Sequence, residues 1–286
     1  MQKGLNGGGI LFLLPAILFV VLLFVYPFLY GLYLSFTSAD GGAPTLANYA
    51  RFFTDWWEVR TIWVTLWIAL PATLINVILA IPFAYHMRHG MRGERLITFF
   101  LIIPLTLGTV LVSEGMLSFM GPNGWLNQLL QAIGIVHNPV RFTHNYWGVL
   151  ISLVIQGFPF AFLMILGYVS GINPDLEKAS QMLGASRAQT FVRVLFPLMV
   201  PGIAICFCLN FVMAFSVFPS AVLLGEPSGP TRVIAYAAYQ WALEKFDFNI
   251  ASAISMVMAA IELVVISGVL VWRNRIYRGA SMVGKG

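Results

Sequence analysis

Residues 173–197 read Asn173-Pro-Asp-Leu-Glu-Lys-Ala-Ser-Gln-Met-Leu-Gly-Ala-Ser-Arg-Ala-Gln-Thr-Phe-Val-Arg-Val-Leu-Phe-Pro197, a polar island between two apolar runs. Asn173 is a good N-cap, Pro174 suits the first helical position, and Asp175 and Glu177 complement the positive end of a helix. Gly184 ends that helix by accepting a left-handed backbone. Ser186 can cap a second helix, which must stop or kink near Pro197. The stretch therefore predicts two short helices joined at a glycine. On the first, Leu176, Ala179, Ser180 and Leu183 recur at three- and four-residue spacing. They make a narrow face of small and apolar side chains that another surface can approach closely, as docking in a partner's groove requires. A surface-lying amphipathic helix without a partner has the same pattern.

Outward from this island the chain is apolar. Of its 286 residues, 59% are hydrophobic and 9% charged, with a mean hydropathy of +0.85. A soluble domain carries about 25% charged residues. So few charges cannot cover a water-facing surface, which excludes a single soluble core. A span needs about 20 mostly apolar residues, and six stretches qualify: Ile10–Phe36, Thr61–Tyr85, Leu96–Phe119, Trp147–Ser170, Pro201–Leu224 and Ala251–Trp272. The expectation is an all-α integral membrane protein, one transmembrane domain over residues 1–286. The first run exceeds the roughly 7–15-residue core of a secretion signal, and no clear small-x-small cleavage site follows it, so it reads as a retained span.

Basic residues set the orientation. With the N-terminus in the cytoplasm, the inner segments hold Lys3, Arg88, Arg92, Arg95, Lys178, Arg187, Arg193, Arg273, Arg275, Arg278 and Lys285. The outer segments hold Arg51, Arg60, Arg141, Arg232 and Lys245, and are richer in acids, Trp and Tyr. This asymmetry puts both termini and residues 173–197 on the cytoplasmic side. It also explains the net charge of +5 without a nucleic-acid partner. Among the outer segments, Gly121–Tyr146 carries Trp125, Leu126, Leu129, Leu130 and Ile133 at helical spacing, a short amphipathic helix on the surface. Glu226–Asn249 opens on Pro227-Ser228-Gly229-Pro230 and continues through Tyr236, Tyr239 and Trp241. Both segments suit an external partner, or simple anchoring of aromatics at the membrane interface.

Within the spans, Glu114 and Glu262 are expensive charges that must face the bundle interior, a partner or a watery cavity. Either they help a cationic solute pass, or they are protonated or held by Ser113, Asn210 or a backbone carbonyl. Asn210 and Ser216 either line a passage or bond a neighbouring helix. Pro71, Pro82, Pro104, Pro159 and Pro219 predict kinks. Cys206 and Cys208 point to different sides of one helix and support neither a disulfide nor a metal site. His86 and His89 lack a third ligand and read as a solvated turn. The sequence contains no Gly-x-x-x-x-Gly-Lys-Ser/Thr, His-Glu-x-x-His, Gly-x-Ser-x-Gly or Gly-x-Gly-x-x-Gly, so no catalytic residue, metal or bound cofactor is expected on this chain.

Residues 173–197 resemble the EAA loop of binding-protein-dependent ABC importer permeases, whose pattern is Glu-Ala-Ala, a glycine a few residues on, then Ile-x-Leu-Pro or similar. Aligned on Gly184-Ala185-Ser186 and Pro197, the Glu-Ala-Ala positions hold Lys178-Ala179-Ser180, with Glu177 immediately before. The acid is displaced by one residue and a lysine takes its place. Leu14-Pro15-Ala16, Tyr26-Pro27, Leu32-Tyr33-Leu34-Ser35-Phe36 and Thr45-Leu46-Ala47-Asn48-Tyr49 are similar to the start of such permeases. The run from Asn123-Gly124-Trp125 to Gly134-Ile135 looks most like the spermidine/putrescine-type branch.

The resemblance implies a type I importer permease in the bacterial inner membrane. It implies a second, different permease subunit, and a periplasmic or lipid-anchored solute-binding protein that delivers the solute. Two cytoplasmic ATPases, which use ATP and Mg, would dock on Asp175, Leu176, Glu177, Lys178, Ala179, Ser180, Leu183, Gly184, Ala185, Ser186 and Pro197. The pathway residues would be Glu114, Asn210, Ser216 and Glu262, and the solute a polyamine-like cation. Sugars, phosphonates, thiosulfate, amino-acid derivatives and iron enter through relatives of similar architecture. A self-sufficient secondary transporter is the competing class, often marked by inverted repeats with matched broken helices; the sequence shows no such symmetry. An integral-membrane enzyme needs clustered polar groups near the interface, and the candidates are too sparse.

Overall fold

The computed structural model describes residues 7–38, 44–91 and 93–282, with side chains between residues 14 and 275. Lys3, Arg92 and Lys285, used in the charge argument, lie outside the described residues, and only the backbone of Arg278 is described. In chain order the helices are α1 (Leu14–Ser35), α2 (Ala47–Thr54), α3 (Trp56–Met87), α4 (Glu94–Met120), α5 (Trp125–Ala132) and α6 (Tyr146–Ser170). They continue as α7 (Asp175–Met182), α8 (Arg187–Phe215), α9 (Pro219–Leu224), α10 (Ile234–Tyr239) and α11 (Phe248–Met282). Six of them, α1, α3, α4, α6, α8 and α11, are long and apolar enough to cross a membrane. Contacts divide the chain into two compact units: residues 1–60 with 237–259, and residues 61–236 with 260–286.

In the larger unit α6 is central and packs against both α4 and α8. Inside a bilayer, exclusion from water no longer drives helices together; close packing of small residues and polar links do. Ala80, Ala84 and Ala161 accordingly sit beside Phe162, Ile165 and Met199 in one fully buried cluster. Two glycines mark the closest approaches. A Cβ on Gly157 would fall 2.3 Å from Asn76 Nδ2, and one on Gly202 would fall 2.3 Å from the Tyr168 ring. Asn145 starts α6 by accepting a 2.9 Å bond from the Gly148 amide.

Three helix irregularities matter for the site. Within α4, Gly108 (φ 75°, ψ 167°) breaks the helix one turn after Pro104. Proline removes a helical hydrogen bond, and only glycine enters that backbone region without strain. In α8 the helix expected to stop or kink near Pro197 does not stop there. A π-helical turn over Phe191–Leu195 closes with Phe196 N–H bonded to the Phe191 carbonyl, and α8 runs on through Pro197. The widened turn changes the hydrogen-bond register just where proline lacks a donor. The fifth span, expected over 201–224, is helical from Arg187 to Phe215 and then breaks. Pro219 does not kink it but opens the separate helix α9, the position where a missing amide costs nothing.

In the smaller unit, polar groups satisfy the end of α1. Asn48 Nδ2 donates to the carbonyls of Ser35 and Thr37 at 3.1 and 2.9 Å, and Asn249 Nδ2 donates to Thr37 O at 2.7 Å. Buried Glu58 accepts from Trp241 Nε1 at 3.0 Å, with the Arg51 guanidinium and Lys245 ammonium 4.7 and 3.5 Å from the Trp241 ring centre.

Candidate functional site

The polar island forms the first short helix that local chemistry predicts, α7, but its second is the start of the long span α8 and not a separate short helix. Asn173 Oδ1 accepts from the Asp175 amide at 2.9 Å, and Asp175 and Lys178 form an exposed ion pair at 3.1 Å. Gly184 exits α7 at φ +89°, and the Ala185 amide reaches back to Ser180 O at 3.2 Å, satisfying a carbonyl the helix end would leave open. Ser186 and Gln189 cap α8 reciprocally: Ser186 Oγ accepts from Gln189 N at 3.2 Å, and Gln189 Oε1 accepts from Ser186 N at 2.9 Å. Ser180 Oγ and Thr190 Oγ1, 3.1 Å apart, tie the two helices into an elbow.

Its exposed face differs from the expected one. Leu176, Ala179 and Leu183 are exposed, but Ser180 is half-buried and spent on Thr190. Met182, which the three- and four-residue spacing did not include, is 88% exposed beside Leu183 at 89%. The two make a bare apolar pair at the turn between α7 and α8.

Glu177 turns the other way. It is buried, with one carboxylate oxygen 2.7 Å from Arg88 Nη1 and the other 3.1 Å from His89 Nε2. Arg88 Nη2 also donates to the Ile172 carbonyl. The Tyr85 ring lies 5.0 Å from the His89 ring and 4.9 Å from Phe191. Beside this cluster opens a cleft of about 830 Å³ lined by Tyr85, His86, Gln181, Arg187 and Phe191 among others. Both histidines are exposed, His86 with its Nδ1 3.0 Å from Pro82 O, and only His89 belongs to the Glu177 contact. The Arg88–Glu177 pairing escaped the sequence; its one local signal is the displacement of the acid from its usual place.

A second polar group lies inside the helices. Asn76 Nδ2 donates to Asn210 Oδ1 at 3.1 Å and Leu153 O at 3.3 Å, and Asn210 Nδ2 donates to Gly157 O at 2.9 Å. Ser220 Oγ meets Ser113 Oγ and Ser152 Oγ at 2.9 Å each and accepts from Gln156 Nε2 at 3.1 Å. A cavity of about 110 Å³ is lined by Gly108, Thr109, Gln156 and Asn210 with apolar neighbours. Neither Ser113 nor Asn210 holds a carboxylate, since both are engaged in these links. Glu114 instead lies exposed on α4. Ser216 Oγ donates to Glu262 Oε1 at 2.9 Å, on a part of the surface this chain leaves open.

Six membrane-length helices, with a capped elbow between the fourth and fifth, define a multi-pass membrane protein. Residues 72–279 match the family described as the binding-protein-dependent transport system inner membrane component. Over 238 residues the chain is 30% identical to the probable sulfate transport system permease protein cysT of Chlorokybus atmophyticus, covering 79% of this chain and 82% of the other. Over 218 residues it is 31% identical to the spermidine/putrescine transport system permease protein PotB of Haemophilus influenzae, covering 73% and 76%. The fold matches a chain of a bacterial alginate ABC transporter, solved with alginate pentasaccharide-bound periplasmic protein, at a TM-score of 0.80, 24% identity and 93% coverage of both.

This chain belongs to the binding-protein-dependent transport system inner membrane component family. It is a multi-pass inner-membrane permease subunit of an ABC importer.

Proposed function

We propose that this permease forms half of a solute pathway and that cytoplasmic ATPases drive it by gripping α7. The observation that carries the reading is the pairing of Met182 and Leu183, bare at the tip of an elbow capped at both of its helix starts and closed at Gly184. A second permease subunit completes the pathway, two ATPases consume ATP and Mg, and a solute-binding protein delivers cargo from outside. The docking surface comprises Leu176, Ala179, Leu183 and Met182; Asp175, Lys178, Ser180, Gly184, Ala185, Ser186 and Pro197 set its shape. Such an elbow moves the spans only if it fits the two ATPase states differently, because a ligand shifts an equilibrium by its differential affinity alone.

Glu114, Glu262 and Ser216 are the pathway candidates, with Asn210 bracing the wall behind them. Charged groups inside a span face a partner or water, and this chain covers neither carboxylate fully. Two carboxylates on such a surface support a small cation, a polyamine or similar, as cargo. An oxyanion is the second reading, favoured by the likeness to a probable sulfate permease. The test is uptake by the reconstituted complex in vesicles. Spermidine accumulation that requires ATP and a binding protein supports the first reading, and sulfate accumulation alone supports the second. Uptake that persists without any ATPase overturns both.

A further inference from the structure

We propose that Arg88 is a positioning residue that locks α7 to the ends of α3 and α6, so that force on the elbow reaches both spans together. The inference rests on reading α7 as the element an ATPase grips. Arg88 directly follows α3 and continues its last turn, its amide bonded to Ala84 O at 3.1 Å. Its guanidinium reaches in two directions: Nη1 lies 2.7 Å from Glu177 on α7, and Nη2 donates to the Ile172 carbonyl just beyond α6. The Arg88 and Glu177 side chains are 6% and 9% exposed, so water does little to weaken the pair. His89, also from the end of α3, takes the second Glu177 oxygen at 3.1 Å.

Without this cluster, α7 would hang from its neighbours by the backbone of residues 171–174 and 183–186 and by the Ser180–Thr190 hydroxyl contact. A helix held so lightly swings when pushed. A planar guanidinium offers donors in a fixed fork; here it reaches two elements at once, by an ion pair to Glu177 and a hydrogen bond to the Ile172 carbonyl. The same contact explains the displaced acid. Glu177 faces inward to Arg88 while Lys178, at the usual acid position, pairs with Asp175 at the surface.

The experiment uses the complete complex in vesicles and reads solute imported per ATP hydrolysed, together with ATPase content after purification. Arg88→Ala and Glu177→Gln leave Met182 and Leu183 in place, so the ATPases should copurify at wild-type ratio. Import per ATP should fall about tenfold, within the usual range of site-to-site coupling. Exchanging the pair, Arg88→Glu with Glu177→Arg, should restore part of the ratio. If Arg88→Ala does not fold, Arg88→Lys decides on the same ratio, because lysine keeps the charge without spanning both acceptors. A wild-type import-to-hydrolysis ratio in an assembled single variant of Arg88 overturns the proposal. Loss of the ATPases from the wild-type complex would instead sink the reading of α7 itself.

Discussion

Asn76 and Asn210 stand 134 residues apart in sequence, yet Asn76 Nδ2 donates to Asn210 Oδ1 at 3.1 Å among buried helices. Asn210 passes the link on to the Gly157 carbonyl at 2.9 Å, so α3, α6 and α8 share one chain of amide bonds. The geometry requires glycine at 157. Gly157→Ala places a methyl 2.3 Å from Asn76 Nδ2 and 3.2 Å from Asn210. Overpacking of this kind costs about 1–3 kcal/mol, so the purified variant should melt several degrees below wild type. An unchanged melting profile in detergent contradicts the close approach.

Gly184 supplies the second prediction. Its φ is +89° and nothing lies within 4 Å of an added Cβ, so the cost of substitution is purely that of the backbone. The left-handed conformation costs an ordinary residue about 1–2 kcal/mol, and a β-branched one more, whereas asparagine enters it readily. Gly184→Val should therefore lose most of its copurifying ATPase and Gly184→Asn very little. Equal retention by the two variants would show that the elbow does not set the docking surface.

The carboxylates give the third. Glu114 is exposed on α4 and Glu262 accepts from Ser216 at 2.9 Å. Glu114→Gln and Glu262→Gln should each insert in the membrane at wild-type level but slow polyamine uptake about tenfold, the scale of one lost charge-assisted contact. Unchanged uptake kinetics for one variant removes that carboxylate from the pathway.

What the sequence made legible was local. Asn173, Gly184 and Ser186 act on amides within a few residues, so cap preferences alone locate the short helix α7, the turn after it and the start of α8. Apolar run length likewise marks the spans, because no backbone amide can stay unpaired in lipid. What stayed hidden was register and long-range pairing. The π turn at Phe191–Leu195 leaves no mark in hydrophobic spacing, so Pro197 read as a stop or a kink, and the sequence did not choose between them; α8 continues through it. Glu177 read only as a complement to the positive helix end because its partner, Arg88, lies far upstream at the end of another span. Ser113 was considered as a holder for a carboxylate, but it bonds Ser220, on a helix that only the break after Phe215 creates.

The most direct measurement places a photo-activatable cross-linker on a cysteine at position 182. The native Cys206 and Cys208 are buried and compete little for the reagent. Met182→Cys in whole inverted membranes should join the chain to an ATPase subunit, with yield that changes between ATP-bound and nucleotide-free states. Labelling of position 182 only by lipid-soluble reagents, or only from the outer face of the membrane, would contradict the account.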